Sequence, residues 1–198
     1  MNMKRGKIIL LLSLCLIIAS IGVTSAAYAG KKKFNWLATF ETIEKSKVGI
    51  ERYKNETKVK INDLNEKVDA NQDIWVTITF AKPLNKQQVE DLINRYNIKI
   101  DHLIARAMER KTGLRGTLIV TTPDSDRIDP VLSENEADLK GFIEAVGYVP
   151  NKKLRELSED KLLFVVDPSA DDYFVDNPKK KCLKGLFWEL EDYGMIVD

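Results

Sequence analysis

The chain has 198 residues, 44% of them hydrophobic and 31% charged, with a formal net charge of +1. This composition supports a packed core and excludes a wholly disordered chain. Lys4, Arg5 and Lys7 precede an apolar run, and removing their three charges from +1 leaves residues 30–198 at about −2. That is not the basic excess of a nucleic-acid binder, so no nucleic-acid partner is expected.

Ile8 to Val23 is almost entirely apolar, and Ala27-Tyr28-Ala29 offers the small-x-small pattern that a signal peptidase cuts before Gly30. A cleaved signal peptide over residues 1–29 competes with an uncleaved transmembrane helix. Ile8 to Ala29 carries no charge and, as a helix, is about 33 Å long, enough to span a bilayer. Lys31, Lys32 and Lys33 follow it, so charge asymmetry does not decide between the two. Either way the rest of the chain is expected outside the cytoplasm, secreted or tethered to the membrane through residues 8–29. Leu14 before Cys15 excludes a lipoprotein signal. Beyond the leader only Cys182 remains, so no internal disulfide is expected there; exported chains so poor in cysteine are more typical of bacteria.

From Phe34 to Val68, apolar residues at Trp36, Phe40, Ile43, Ile50, Ile61, Leu64 and Val68 follow helical spacings. The expectation is a long amphipathic helix, or two shorter ones, packed on the following domain or forming a coiled-coil seam. Ile74 to Phe80 is a β-branched and aromatic strand, ended by Pro83. Asn85 caps a helix from Lys86 to Tyr96. Ile98 to Arg106 and Leu114 to Thr122 read as a hairpin turning at Gly113. Pro123 to Pro130 reads as a loop, Glu134 to Val146 as a helix, Lys152 to Leu157 as a short helix, and Leu162 to Val166 as a strand. Cys182 to Tyr193 carries helical spacing before Gly194. This order of strands and helices is that of a ferredoxin-like (split βαβ) α+β sheet. The expected divisions are residues 1–29 as signal peptide or anchor and 30–70 as helical arm. Residues 71–172 form the ferredoxin-like domain with a helical insertion at 123–150, and 173–198 form a C-terminal helical tail.

The strand and helix Val76-Thr77-Ile78-Thr79-Phe80 and Leu84 to Ile93, with Lys153 to Asp160 and Phe164-Val165-Val166-Asp167-Pro168, carry a likeness. On these residues the stretch from Ile74 to Asp172 resembles the subtilisin-propeptide (peptidase-inhibitor) family of small ferredoxin-like domains. The resemblance implies a module that binds another protein by its sheet face and by the segment after the last strand. By position that segment is Asp167 to Tyr173, with Asp167, Pro168, Asp171, Asp172 and Tyr173 as the partner-binding candidates. The chain departs from the family in the extra residues 123–149 and in continuing into a helix.

No nucleophile elbow, zinc-protease helix, phosphate loop or dinucleotide fingerprint occurs. One histidine and one cysteine past the leader cannot supply a zinc tetrad. Asp124-Ser125-Asp126-Arg127-Ile128-Asp129 lacks the turn glycine of a calcium loop, and Asn135 stands where such a loop needs glutamate. A pair between Cys182 and His102 is conceivable, but an inert cysteine at a helix start is expected. The functional expectation is a non-catalytic domain, without cofactor or metal, that binds another extracytoplasmic protein. The alternatives are a standalone inhibitor or chaperone of an exported serine protease, and an enzyme using dispersed carboxylates.

Overall fold

The computed structural model describes residues 31–35, 43 and 45–196, and the unit considered below begins at Lys33. Helix α1 spans Lys47–Lys67, where the Ser46 hydroxyl accepts from Gly49 N–H at 3.0 Å and starts the first turn. Its buried residues Ile50, Tyr53, Thr57, Ile61 and Leu64 repeat at three and four, giving one inward stripe. At its far end Asn151 Nδ2 donates to Val68 O at 2.9 Å and adds a second donor to Leu64 O at 3.0 Å, which also accepts from Val68 N–H. The expected helix over 34–68 thus starts at Lys47 among the described residues; Trp36 and Phe40 lie outside them.

Strand β1 follows at Asp73–Leu84, then helix α2 at Lys86–Tyr96 and strand β2 at Lys99–Glu109. Asn85 and Gln88 form a reciprocal capping box on α2, and Asn97 closes it in the left-handed region at φ 54°. Strand β3 is Arg115–Val120, helix α3 Ser125–Glu134, strand β4 Ala137–Pro150, helix α4 Asn151–Ser158, strand β5 Leu163–Asp167 and helix α5 Phe187–Asp192. The sheet order is β3-β2-β4-β1-β5, with every neighbouring pair antiparallel. The described residues therefore make an α+β fold of one five-stranded antiparallel sheet and five helices.

Alternation along the strands gives the sheet two apolar faces. Ile74, Val76, Ile78 and Phe80 of β1 turn to the main core with residues of α1, α2, α3 and α4. On the opposite face Trp75 and Val146 meet Ala170 and Leu183. The chain after β5 crosses this second face as a strap: Thr77 Oγ1 donates to Leu183 O, and Leu186 N–H donates to Thr79 Oγ1.

Several expectations are corrected. Residues 137–146, read as helical, belong to β4, the central strand of the sheet rather than part of a helical insertion. Its Ala, Leu, Glu and Lys favour a helix locally, but Phe142 to Gly147 is buried without a break between β1 and β2, and tertiary packing overrides propensity. The loop expected over 123–130 is largely α3, in which Ile128 and Leu132 anchor one face in the core despite Pro130. Pro83 does not end β1; the strand passes it with a register shift between Thr79 and Leu84. The helix expected from Cys182 is helical only over Phe187–Asp192, because the residues before it are held on the second face through Leu183 and form no regular element. The label of a transmembrane helix is corrected for the part the structure describes: among the described residues no helix is long and apolar enough to cross a membrane. The leader reading at residues 1–29, with Ala27, Ala29 and Gly30, lies outside the described residues, and the labels of signal peptide and secretion draw no support from the fold.

Candidate functional site

The segment expected to meet a partner is turned inward. Asp167, Pro168 and Asp171 are buried, whereas Asp172 is exposed and Tyr173 half-buried. Asp167 accepts from the Tyr53 hydroxyl on one oxygen and from Ser169 N–H at 2.9 Å on the other. Desolvation and the adjacent carboxylate push the Tyr53 phenol well above its ordinary range. Asp171 accepts from Trp75 N–H at 2.7 Å and from Tyr173 N–H at 2.9 Å. The Tyr173 hydroxyl donates to Asp63 at 3.1 Å, and Asp172 pairs with Lys180. These carboxylates hold the start of the strap against the sheet; they do not project an extended strand.

An open surface lies at the other end of the sheet. Edge strand β3 pairs with β2 on one side, and among the described residues no strand pairs with its outer side. Its Ile119 is 72% exposed, and Leu114 just before it 67%. Arg115, the only charged residue in the strand, is already paired with Glu191 at 3.0 Å and Asp192 at 2.7 Å, and lies 4.9 Å over the Trp188 ring. Beside β3 a groove of about 410 Å³ runs between the hairpin and α3, with Leu114, Leu118, Val131 and Leu132 among its walls. Leu114 and Ile119 were legible in the sequence as strand residues. Their exposure was not, because it depends on the order of the strands.

On the strapped face, two residues 80 positions apart come together: Cys182 Sγ lies 3.8 Å from His102 Nε2, and His102 Nδ1–H donates to Asp101 Oδ2 at 2.8 Å. The hydrogen bond to the sulfur and the one to Asp101 raise His102 to about 9, against the opposing pull of partial burial. Cys182 is half-buried and is the free thiol of the described residues.

Glu144 is the remaining unusual group. It is 3% exposed, and burial, with Glu189 nearby, lifts its carboxyl to about 7. It lies directly under Gly185, where an added Cβ would stand 2.1 Å from its Cδ. The Gly185 backbone therefore shields this carboxyl from solvent. Among the described residues no group of three His, Cys, Asp or Glu side chains is placed to hold a metal ion. No family model, curated protein or solved structure matches the chain.

Proposed function

We propose that this chain is a non-catalytic protein-binding domain that takes an extended segment of another protein as an added strand along β3. The carrying observation is the open outer edge of β3 beside the groove under α3. An unpaired strand edge presents a row of main-chain donors and acceptors, and another extended chain satisfies them best. Alternate side chains of that segment then fall toward Leu118 and Val131 on one face and Ile119 on the other, so the partner is an apolar, alternating peptide. With Arg115 neutralised by Glu191 and Asp192, charge does not select the partner.

The finer fold reading belongs to the same proposal. Strands β2, β4, β1 and β5 stand side by side in that order, and helices α2 and α4 connect β1 to β2 and β4 to β5. This supports a ferredoxin-like core, with β3 and α3 added to one side of it. The inhibitor reading would need Asp167 to Tyr173 to lie extended in a protease cleft. That stretch is bonded into the fold through Asp167 and Asp171, and the binding proposal stands without it.

The test uses the full chain and a library of synthetic seven-residue peptides of alternating apolar pattern. A binding peptide should slow amide exchange in β3, and Ile119→Lys or Val131→Lys should weaken it by about tenfold with melting unchanged. Protection confined to other elements, or no peptide bound at millimolar concentration, would overturn the proposal.

A further inference from the structure

In β2, Ile100 pairs with Gly147 and His102 with Val146, which leaves Asp101 as the extra residue of a bulge. Successive side chains of a regular strand face opposite sides, and a bulge re-aims the inserted one. That is how sequence neighbours Asp101 and His102 come to share a hydrogen bond of 2.8 Å. The bond fixes Nδ1 as the donor and turns Nε2 toward Cys182 Sγ, 3.8 Å away. Across the sheet, Gly147 lets the bulge close, since a Cβ there would stand 2.3 Å from Lys99 O.

Cys182 is carried to this point by the strap, whose Leu183 is buried on Trp75 and Val146. The same cluster contains a buried donor that has no partner among the described residues, the Trp75 indole N–H. Phe34, packed on that cluster, also lines a hollow of about 260 Å³ together with Lys33, Lys179 and Lys181. Asp176, Asn177 and Pro178 complete its lining, and Lys181 immediately precedes Cys182, so the chain leads from a recess of three lysines and one carboxylate to the cluster of Cys182, His102 and Asp101.

We infer that Cys182 is a reactive thiol site, with His102 as its proton carrier and Asp101 as a positioning residue, that exchanges with a small anionic disulfide seated among these lysines. The inference stands apart from the β3 edge. At neutral pH the imidazole holds a proton, and its Nε2 faces the sulfur at 3.8 Å. The Cys182 thiolate attacks one sulfur of the incoming disulfide. A new Sγ–S bond forms as the S–S bond breaks, and the departing thiolate takes the electron pair and the proton held on His102 Nε2. The products are a mixed disulfide at Cys182, a neutral imidazole and a free small thiol.

The full chain is mixed with a dianionic aromatic disulfide, dithiobis-nitrobenzoate, or with neutral dipyridyl disulfide, and capture at Cys182 is followed by peptide mass mapping. Cys182 should capture the dianion about tenfold faster than free cysteine does at pH 7. His102→Gln should slow both reagents about tenfold, and Lys179→Gln with Lys181→Gln only the dianion. Asp101→Asn should slow capture severalfold and Asp101→Glu restore it. Unfolding the unaltered chain in urea should abolish its advantage, a measurement that needs no variant. Capture at the free-cysteine rate in the folded chain, or an unchanged rate in a folded His102→Gln protein, would overturn the thiol site. Equal capture of both reagents, each relative to free cysteine, would overturn the anionic assignment.

Discussion

Replacing Glu144 by glutamine should stabilise the protein, and only above acidic pH. In β4, Glu144 stands opposite Thr79 of β1 and Ile104 of β2, on the face that the strap covers. It accepts from Phe187 N–H at 3.4 Å, a long bond for a buried carboxylate. Desolvation is the main cause of its raised affinity for a proton; the Phe187 N–H bond opposes it, Glu189 adds to it, and Lys184 and the Gly185 backbone partly oppose it. The folded state therefore titrates near 7 against an ordinary value of 4.5. Below 4.5 the group is protonated in both states and has no effect on stability. Between 4.5 and 7 the folded chain retains a proton that the unfolded chain has released, so stability falls as pH rises across that window. Above it the loss levels off at about 3 kcal/mol, at 1.36 kcal/mol per pKa unit. Glutamine keeps the shape and an acceptor for Phe187 without the charge. Urea unfolding followed by tryptophan fluorescence should give equal stabilities for the two proteins near pH 4 and a variant more stable by about 2–3 kcal/mol at pH 8. His102 titrates over part of the same range but is common to both, and cancels in the difference. A difference that does not vary with pH, or a less stable variant at pH 8, would refute the reasoning.

Gly147→Ala should destabilise the fold by about 2 kcal/mol or more, because its Cβ meets the Lys99 carbonyl at 2.3 Å and backbone must move; calorimetric melting checks this. Tyr53→Phe removes the phenol that donates to Asp167 and leaves a buried carboxylate short of a partner. The expected loss is about 1–3 kcal/mol by denaturant unfolding. Asn151→Asp should do more damage than Asn151→Ala at neutral pH, since a carboxylate would then face the carbonyls of Leu64 and Val68 in place of a donor. Equal losses in the two unfolding curves would speak against that account.

The features legible in the sequence are those written in short stretches of chain. Asn85 and Gln88 announce the start of α2 three residues apart, and Gly113 sits at φ 70° in the hairpin turn. The run from Ile74 to Phe80 announces a strand by composition alone. Strand β4 is hidden from the sequence for the opposite reason. Lys140, Glu144 and Ala145 favour a helix locally, and only the presence of β1 and β2 on either side makes the extended form better. The meeting of Cys182 with His102 was conceivable from sequence, but its geometry depends on a one-residue bulge at Asp101 and on a strap that crosses the sheet, neither of which has a local signature. The partner-binding segment at Asp167 to Tyr173 was placed by resemblance, which indicates position along the chain but not the hydrogen bonds that turn Asp167 and Asp171 inward.

The two edges of the sheet are treated differently, and the difference bears on function. Strand β5 is short and fully buried; Phe164 and Val165 pack on Ile50 and Tyr53 of α1, and the Lys54 ammonium lies 4.4 Å over the Phe164 ring. Such covering is how folded chains keep an edge from recruiting another strand. At β3 the devices that would do the same are missing among the described residues: no strand pairs with its outer side, no proline interrupts the strand, and its one charge is drawn away to α5. Stability alone gives no reason to leave Ile119 72% exposed at an unpaired edge. A lysine at position 119 is therefore informative in both directions. If Ile119→Lys leaves peptide binding intact and merely improves solubility, β3 is ordinary surface. If it removes binding and leaves the melting temperature unchanged, the open edge is what the fold maintains for a partner.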